Sequence, residues 1–285
     1  MLCPSSLGSS KLDPYETRKI HRRRFMKILF IGDIVGKPGR LTVAKVLPQL
    51  KAELKPDVVI ANVENLAHGK GYTQKTWDEM HKAGVDVGTG GNHTFSKDDA
   101  RVLLADEQQP LVRPANFLPS EPGRGAIIVD SPAGKVRVMN LIGQSFMQDE
   151  PTSPFTAADK LLTGEKVAAT FVDLHAEASS EKVALGWYLD GRVSVVVGTH
   201  THIPTADCRI LPGGTAYITD VGMCGLRDGI IGVDREAIMP RFLNNEKKPH
   251  TFAEHGPTIF CAVLVGIGPD GHAIAIERID RQLEV

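Results

Sequence analysis

Lys27-Ile28-Leu29-Phe30-Ile31-Gly32-Asp33 is the stretch on which the reading of the fold turns. Four consecutive apolar residues closed by a glycine read as a short strand buried on both faces. An acid stands just past its end. Pro38 then sits where a helix can begin, because its missing N–H goes unused in a first turn. Leu41, Ala44, Val46 and Leu47 give that helix an apolar side, and Pro48 is expected to bend or end it. The cycle repeats: a strand over 57–61, a helix capped by Thr73 and running through Lys82, a strand over 85–89. A third helix is predicted with Ser96 as its cap and Asp98 and Asp99 in its first turn, where carboxylates suit the helix dipole. Further strands fall at 126–129 and 136–142, and two buried strands at 170–174 and 193–197 flank a helical stretch at 180–189. Near the end, Pro269-Asp270-Gly271 separates apolar runs at 259–267 and 273–279, a hairpin signal. Strand–helix alternation followed by a hairpin predicts an α/β protein, with mixed sheets layered and flanked by helices. No internal repeat or linker interrupts residues 26–285, which read as one domain.

Bulk composition narrows the function. The chain has 285 residues, 42% hydrophobic and 24% charged, as in ordinary globular proteins. Its 33 basic and 34 acidic side chains give a net charge of −1, which argues against a duplex nucleic-acid binder but leaves room for a small anionic substrate. Cys3, Cys208, Cys224 and Cys261 form no C-x-x-C pair, so neither a disulfide framework nor a thiolate zinc site is expected, and a reducing cytoplasm is the default compartment. No apolar run approaches the ~20 residues that span a bilayer. Residues 1–25 carry Ser5, Ser6, Ser9 and Ser10 and a basic cluster over 18–24, without the apolar segment of a secretory signal. They read as a disordered leader, or as sequence upstream of a true start at Met26.

The chemistry gathers just past the strands. Asp33 follows the first, Glu64 and Asn65 the second, Asn92 and His93 the third; His175 and His200-Thr201-His202 follow two later ones. Open α/β sheets place ligand sites at this edge. Nitrogen and oxygen donors without thiolate suit manganese, iron or zinc, and imidazole tilts the choice away from magnesium and calcium. Asp33 or Glu64 could bridge a metal pair ~3.5–4 Å apart, the arrangement that activates water and clamps both oxygens of a phosphoryl transfer. If 200–202 is extended, His200 and His202 face one way. An isolated His-x-His is more often structural than ligating, and an isolated Asp after a strand is usually a turn residue; the same coincidence at five strand ends favours a metal site. Asp173, Glu177 and Asp220 could orient metal-binding imidazoles. Arg113 reads as a structural salt bridge and His68 as a loop residue. The glycines of Gly32-Asp33-Ile34-Val35-Gly36 do not make a dinucleotide fingerprint, and no phosphate-binding G-K-[ST] loop occurs.

Together, FIGDIVGKPGR (30–40), NVENLAHGKG (62–71), GNHTF (91–95), LVRPANFLP (111–119), FVDLHAEASSEKVALGWYLDGR (171–192), GTHTHIPTAD (198–207), GTAYITDVGM (214–223) and GVDREAI (232–238) resemble the YmdB-like branch of the calcineurin-like metallophosphoesterases. Where the wider superfamily has D-x-H, Ile34 and Val35 follow Asp33 and no histidine is available; the adjacent Glu64-Asn65 stands where the YmdB-like branch makes up part of that load. The resemblance implies an α/β/β/α sandwich and two divalent metals, iron or manganese, with zinc and magnesium also compatible. One would take Asp33, Glu64, Asn65 and His202; the second would share Glu64 and add Asn92, His175 and His200. It further implies hydrolysis of 2′,3′-cyclic nucleotides, and of 3′,5′-cyclic ones, by metal-bound hydroxide, with His93 protonating the leaving ribose oxygen. A homo-oligomer is implied as well, although an exposed site would serve equally in a monomer. Two alternatives stay open: a nucleotide-binding regulator with weak turnover, and a broader phosphomonoesterase or 5′-nucleotidase.

Overall fold

The computed structural model describes residues 25–246 and 254–285. Of the expected leader only Phe25 falls within this range; the rest of 1–25 lies outside the described residues.

Two sheets stack face to face. The first has seven strands: β1 (Met26–Ile31), β2 (Asp33–Ile34), β3 (Val58–Asn62), β4 (Val87–Thr89), β11 (Met223–Leu226), β12 (Pro257–Ile267) and β13 (Ala273–Glu284). The second has six: β5 (Ala126–Val129), β6 (Val136–Ile142), β7 (Ala169–His175), β8 (Val195–Thr199), β9 (Arg209–Ile210) and β10 (Ala216–Ile218). Helices α1 (Gly36–Leu54), α2 (Gln74–Ala83) and α3 (Asp99–Ala105) belong to the first half of the chain. They are followed by α4 (Pro154–Leu161), α5 (Ser179–Leu189) and α6 (Arg235–Asn244).

Period-2 alternation in the strands sorts their apolar residues into three layers. Leu29, Ile31, Val59 and Ala61 pack against Val43, Leu47 and Leu50 of α1 and Trp77 and Met80 of α2. Their neighbours Ile28, Phe30, Val58 and Ile60 meet Val138, Phe171, Val195 and Val197 between the sheets. Met139, Leu141, Val172, Leu174 and Val196 cover the outer face of the second sheet beneath Leu185 and Leu189 of α5. The architecture is therefore helix–sheet–sheet–helix, the metallophosphoesterase-type sandwich expected from the sequence. Phe30 and Phe171, with ring centroids 5.0 Å apart, join the two sheets at the centre. Phe30→Ala should lower stability by ~3–5 kcal/mol, the range for a truncated aromatic in a close-packed core, measured as a shift in the urea midpoint.

Several local expectations change. Helix α1 does not end at Pro48 but continues to Leu54. The ring sits on the exposed face, where water can take the carbonyl a turn earlier. Ser96 does not cap α3: it closes a 3₁₀ turn over Thr94–Ser96, and Asp98 holds the N-cap position. Asp99 accepts a hydrogen bond from the first residue of α2, Gln74 (3.0 Å). Thr73 does cap α2, in a reciprocal box with Thr76. Short strands β2, β9, β10 and β11 and helices α4 and α6 carry no signal strong enough to predict.

Strands β1, β3 and β4 run parallel in one sheet, and β6, β7, β8 and β10 in the other. Their carboxyl edges lie against each other: Asn62 Nδ2, at the end of β3, donates across to Asp173 Oδ2 in β7 (3.2 Å). Loops from both sheets therefore open onto one place.

Candidate metal centre

Each sequence-predicted donor reaches that place by leaving a strand at its carboxyl end. Asp33 follows β1 after Gly32; Glu64 and Asn65 follow β3; Asn92 and His93 follow β4; His175 ends β7; His200 and His202 follow β8. Asp33, Glu64, Asn65 and His175 are almost wholly buried.

Two groups of donors meet around Glu64. In one, His175 Nε2 lies 2.9 Å from Asn92 Oδ1, 3.1 Å from Glu64 Oε1 and 3.0 Å from His200 Nδ1. In the other, Asn65 Nδ2 lies 3.3 Å from Glu64 Oε1 and 3.3 Å from His202 Nε2, and His202 Nε2 is 3.8 Å from Asp33 Oδ1. Glu64 Oε1 is common to both, while Oε2 accepts the backbone N–H of His93 (2.8 Å). Among the described residues, Glu64, His175 and His200 offer donor atoms that all lie within 4.8 Å of one another; Asn92 adjoins them through His175, and Asn65, His202 and Asp33 follow from Glu64 in a chain of pairwise contacts. His93 lines the adjoining cavity.

The imidazoles are oriented from behind. His175 Nδ1 contacts Thr199 Oγ1 (2.9 Å), which donates to Asp173 Oδ1 (2.8 Å). His200 Nε2 lies 3.1 Å from Glu177 Oε2, and His202 Nδ1 lies 2.9 Å from the Ile231 carbonyl. Each ring therefore turns one nitrogen to a protein acceptor and the other to the cluster, as metal-binding histidines do. Asp173 acts through Thr199 and Glu177 directly; Asp220 touches no imidazole.

The histidines of 200–202 do not converge by strand alternation. Both adopt left-handed backbone, with φ of +97° for His200 and +66° for His202. Non-glycine residues held there carry strain of ~1–3 kcal/mol each, characteristic of sites whose surroundings dictate the conformation. Gly91 shows how tightly the cluster is drawn: a Cβ on it would overlap the Glu64 carboxylate and the His175 ring.

The electrostatics ask for positive charge. Burial alone would push the Glu64 carboxyl up, but His175 and His93 hold it down at about 2. Burial likewise works against a charged His175, yet Glu64, Asp33 and Asp173 raise it to about 9. Burial and then the neighbouring His175 depress His200 to about 3. Burial also drives Asp33 upward, in spite of His202 and His175. Among the described residues, Asp33 Oδ1 and Asn65 Oδ1 are buried with no hydrogen-bond donor. One proton on His175 Nε2 cannot satisfy Asn92, Glu64 and His200 together and reaches neither orphaned oxygen. Cations of higher charge, ligated by nitrogen and oxygen, can, so the donor set fits two divalent metals.

Beside the cluster lies a cavity of about 380 Å³, in the range that takes a small ligand. Its lining joins four of the donors, Glu64, Asn65, His200 and His202, to Lys70, His93, Val35, Ile231 and Val233. Lys70 and the apolar wall were not singled out from sequence, because nothing local ties residue 70 or 231 to a strand end. His68 lies on the same loop with φ of +54° and does not line the cavity. Among the described residues Arg113 makes no salt bridge of the kind expected; its guanidinium donates to the carbonyls of Pro114, Phe117 and Glu121 and fixes that loop.

Comparison with known proteins converges on the same site-bearing fold. Residues 29–279 match the family model of YmdB-like proteins. The chain is 49% identical over 257 residues to the 2′,3′-cyclic-nucleotide 2′-phosphodiesterase of Bacillus subtilis, covering 89% of this chain and 96% of that protein. Among solved structures, a hypothetical protein of Thermus thermophilus superposes with a TM-score of 0.85 at 40% identity, covering 90% of this chain and 99% of that one. A phosphatase of Mycoplasma pneumoniae gives 0.85 at 35% identity, covering 92% and 94%. Among the described residues, no helix is long and apolar enough to cross a membrane.

Proposed function

The chain belongs to the YmdB-like family, and from that premise we propose that it is a dinuclear-metal phosphodiesterase acting on 2′,3′-cyclic nucleotides. The observation that carries the reading is the meeting of Asp33, Asn65 and His202 on one side of Glu64 Oε1, and of Asn92, His175 and His200 on the other. These residues would hold two cations, iron or manganese by the preference of mixed imidazole and carboxylate sites. When bound, such a pair supplies an activated water nucleophile and neutralises charge on the phosphate oxygens.

The remaining chemistry belongs to the chain. Lys70 brings a cation to the cavity and attracts the phosphate. Val35, Ile231 and Val233 offer an apolar wall to the sugar and base. Glu64 Oε2 fixes the His93 backbone, and with it the ring, beside the reacting centre. From there His93 can give a proton to the departing ribose oxygen. Burial lowers its affinity for that proton, while Glu64 raises it.

The test is turnover of 2′,3′-cyclic AMP, 3′,5′-cyclic AMP and 5′-AMP by protein reconstituted with manganese, with and without a chelator. The 2′,3′-cyclic diester should be hydrolysed fastest, and the chelator should stop it. Faster release of phosphate from 5′-AMP would move the protein to the nucleotidases.

A further inference from the structure

One buried ion pair lies near the cluster without belonging to it. Lys182 on α5 and Asp220, just past β10, are each almost wholly excluded from solvent, and Lys182 Nζ lies 2.7 Å from Asp220 Oδ2. The same Oδ2 accepts the Thr201 backbone N–H (3.2 Å) and the Thr201 hydroxyl (2.8 Å), and Oδ1 accepts the Gly222 N–H (2.9 Å). Asp220 also clamps the far end of the loop through its backbone: its carbonyl accepts Thr205 N–H (3.0 Å) and its N–H donates to Thr205 Oγ1 (2.9 Å). Thr201 stands between His200 and His202, the two residues in left-handed backbone.

Stability does not account for this arrangement. Removing two charges from water offsets much of their attraction, and an apolar pair of similar volume is often as stable. Two histidines one residue apart in a disfavoured conformation, by contrast, persist only where their surroundings over-determine it. The middle residue of that turn is fixed at both its N–H and its hydroxyl by one carboxylate oxygen, which Lys182 in turn holds in place.

We propose that Lys182 and Asp220 form a positioning pair that locks the His200-Thr201-His202 turn, so that one histidine faces each half of the donor cluster. Among the described residues, the pair makes no hydrogen bond to any donor side chain; its direct hold on the turn is through Thr201, with Thr205 and Gly222 fixed on either side of it. The inference rests on the metal-binding reading above.

Asp220→Asn leaves Lys182 buried beside a neutral amide and can fail to fold, so the deciding variants are Thr201→Val and Thr201→Ser. The first removes the hydroxyl while keeping the shape; the second restores the hydroxyl. Manganese binding to metal-free protein is measured by calorimetric titration, alongside the melting temperature of each metal-free variant. Thr201→Val should bind manganese at least ~10-fold more weakly, the effect typical of lost support behind a ligand. Thr201→Ser should stay within ~2-fold of the parent, on the same principle that the supporting bond is kept. Metal-free Thr201→Ser should melt with the parent, whereas Thr201→Val, which takes a donor from a buried carboxylate, should melt lower, so each titration is run well below the melting temperature of that variant. Asp220→Asn, where it folds, should show the same loss as Thr201→Val. Undiminished affinity in Thr201→Val overturns the proposal, and so does a Thr201→Ser variant as weak as Thr201→Val. A parent protein that binds no divalent metal overturns the metal-site reading and takes this inference with it.

Discussion

Glu64→Gln should abolish tight binding of both metals and reduce turnover of a 2′,3′-cyclic nucleotide by at least ~10³-fold. The magnitude follows from losing several kcal/mol of metal-derived charge stabilisation, at 1.36 kcal/mol per factor of ten. The size of the side chain is unchanged, so the core should not collapse around it. What changes is the one oxygen shared by the two donor groups, and the charge that both groups rely on. Glu64 Oε1 lies 3.1 Å from His175 Nε2 and 3.3 Å from Asn65 Nδ2. A glutamine must also choose where its amide points. Towards His93, it sets a donor against the backbone N–H that Oε2 now accepts; towards the cluster, it sets a donor where a cation should sit. Metal content after dialysis, measured by mass spectrometry, should fall from about two ions per chain, the number a two-metal phosphoesterase site would hold, to well below one. The melting temperature of the parent should drop when a chelator strips its ligand, and that of Glu64→Gln should not respond. A variant that keeps both ions would show that the two donor groups hold metal without the Glu64 carboxylate.

The donors were legible because each follows a buried apolar run, and the carboxyl edge of an α/β sheet is where such groups collect. Asp33, Glu64 and His175 need nothing more than that rule. The conformation of His200 and His202 was not legible. Alternation in an extended segment predicts the right neighbours for the wrong reason, since the turn is set by Asp220, nineteen residues from Thr201. Lys182 illustrates the same limit. A lysine in a helix reads as a solvated residue, and only the packing of α5 against the end of β8 buries it. The short strands fail for a related cause. The pairing of Met223 with Asp33 and of Cys224 with Ile34 is two residues long, and its signal lies wholly in the partner. Residues 231 and 233 form the cavity wall because the Ile230–Val233 bridge turns that loop towards His202, a contact across sequence that periodicity cannot see.

His93→Ala should separate chemistry from metal binding. His93 lines the cavity, and its hydrogen bond to Glu64 is made by a backbone N–H that alanine retains. Both metals should therefore stay bound with near-parent affinity. Turnover of a cyclic nucleotide should nevertheless fall by ~10²–10⁴-fold in kcat, the usual contribution of a positioned general acid. The reason lies in the leaving group: a ribose alkoxide is a strong base and departs slowly without a proton. A nitrophenolate departs readily as the anion, so bis(p-nitrophenyl) phosphate should lose far less activity in the same variant. The pH profile should change in step. A general acid must carry its proton, so parent kcat falls as pH rises through the His93 pKa, and that alkaline limb should vanish in His93→Ala. Equal losses on both substrates would instead mean that His93 holds the phosphate or the cluster in place. The same variant also divides catalysis from regulation. If cells carrying His93→Ala behave as the parent while those carrying Glu64→Gln do not, occupancy of the site matters to the cell more than its turnover does.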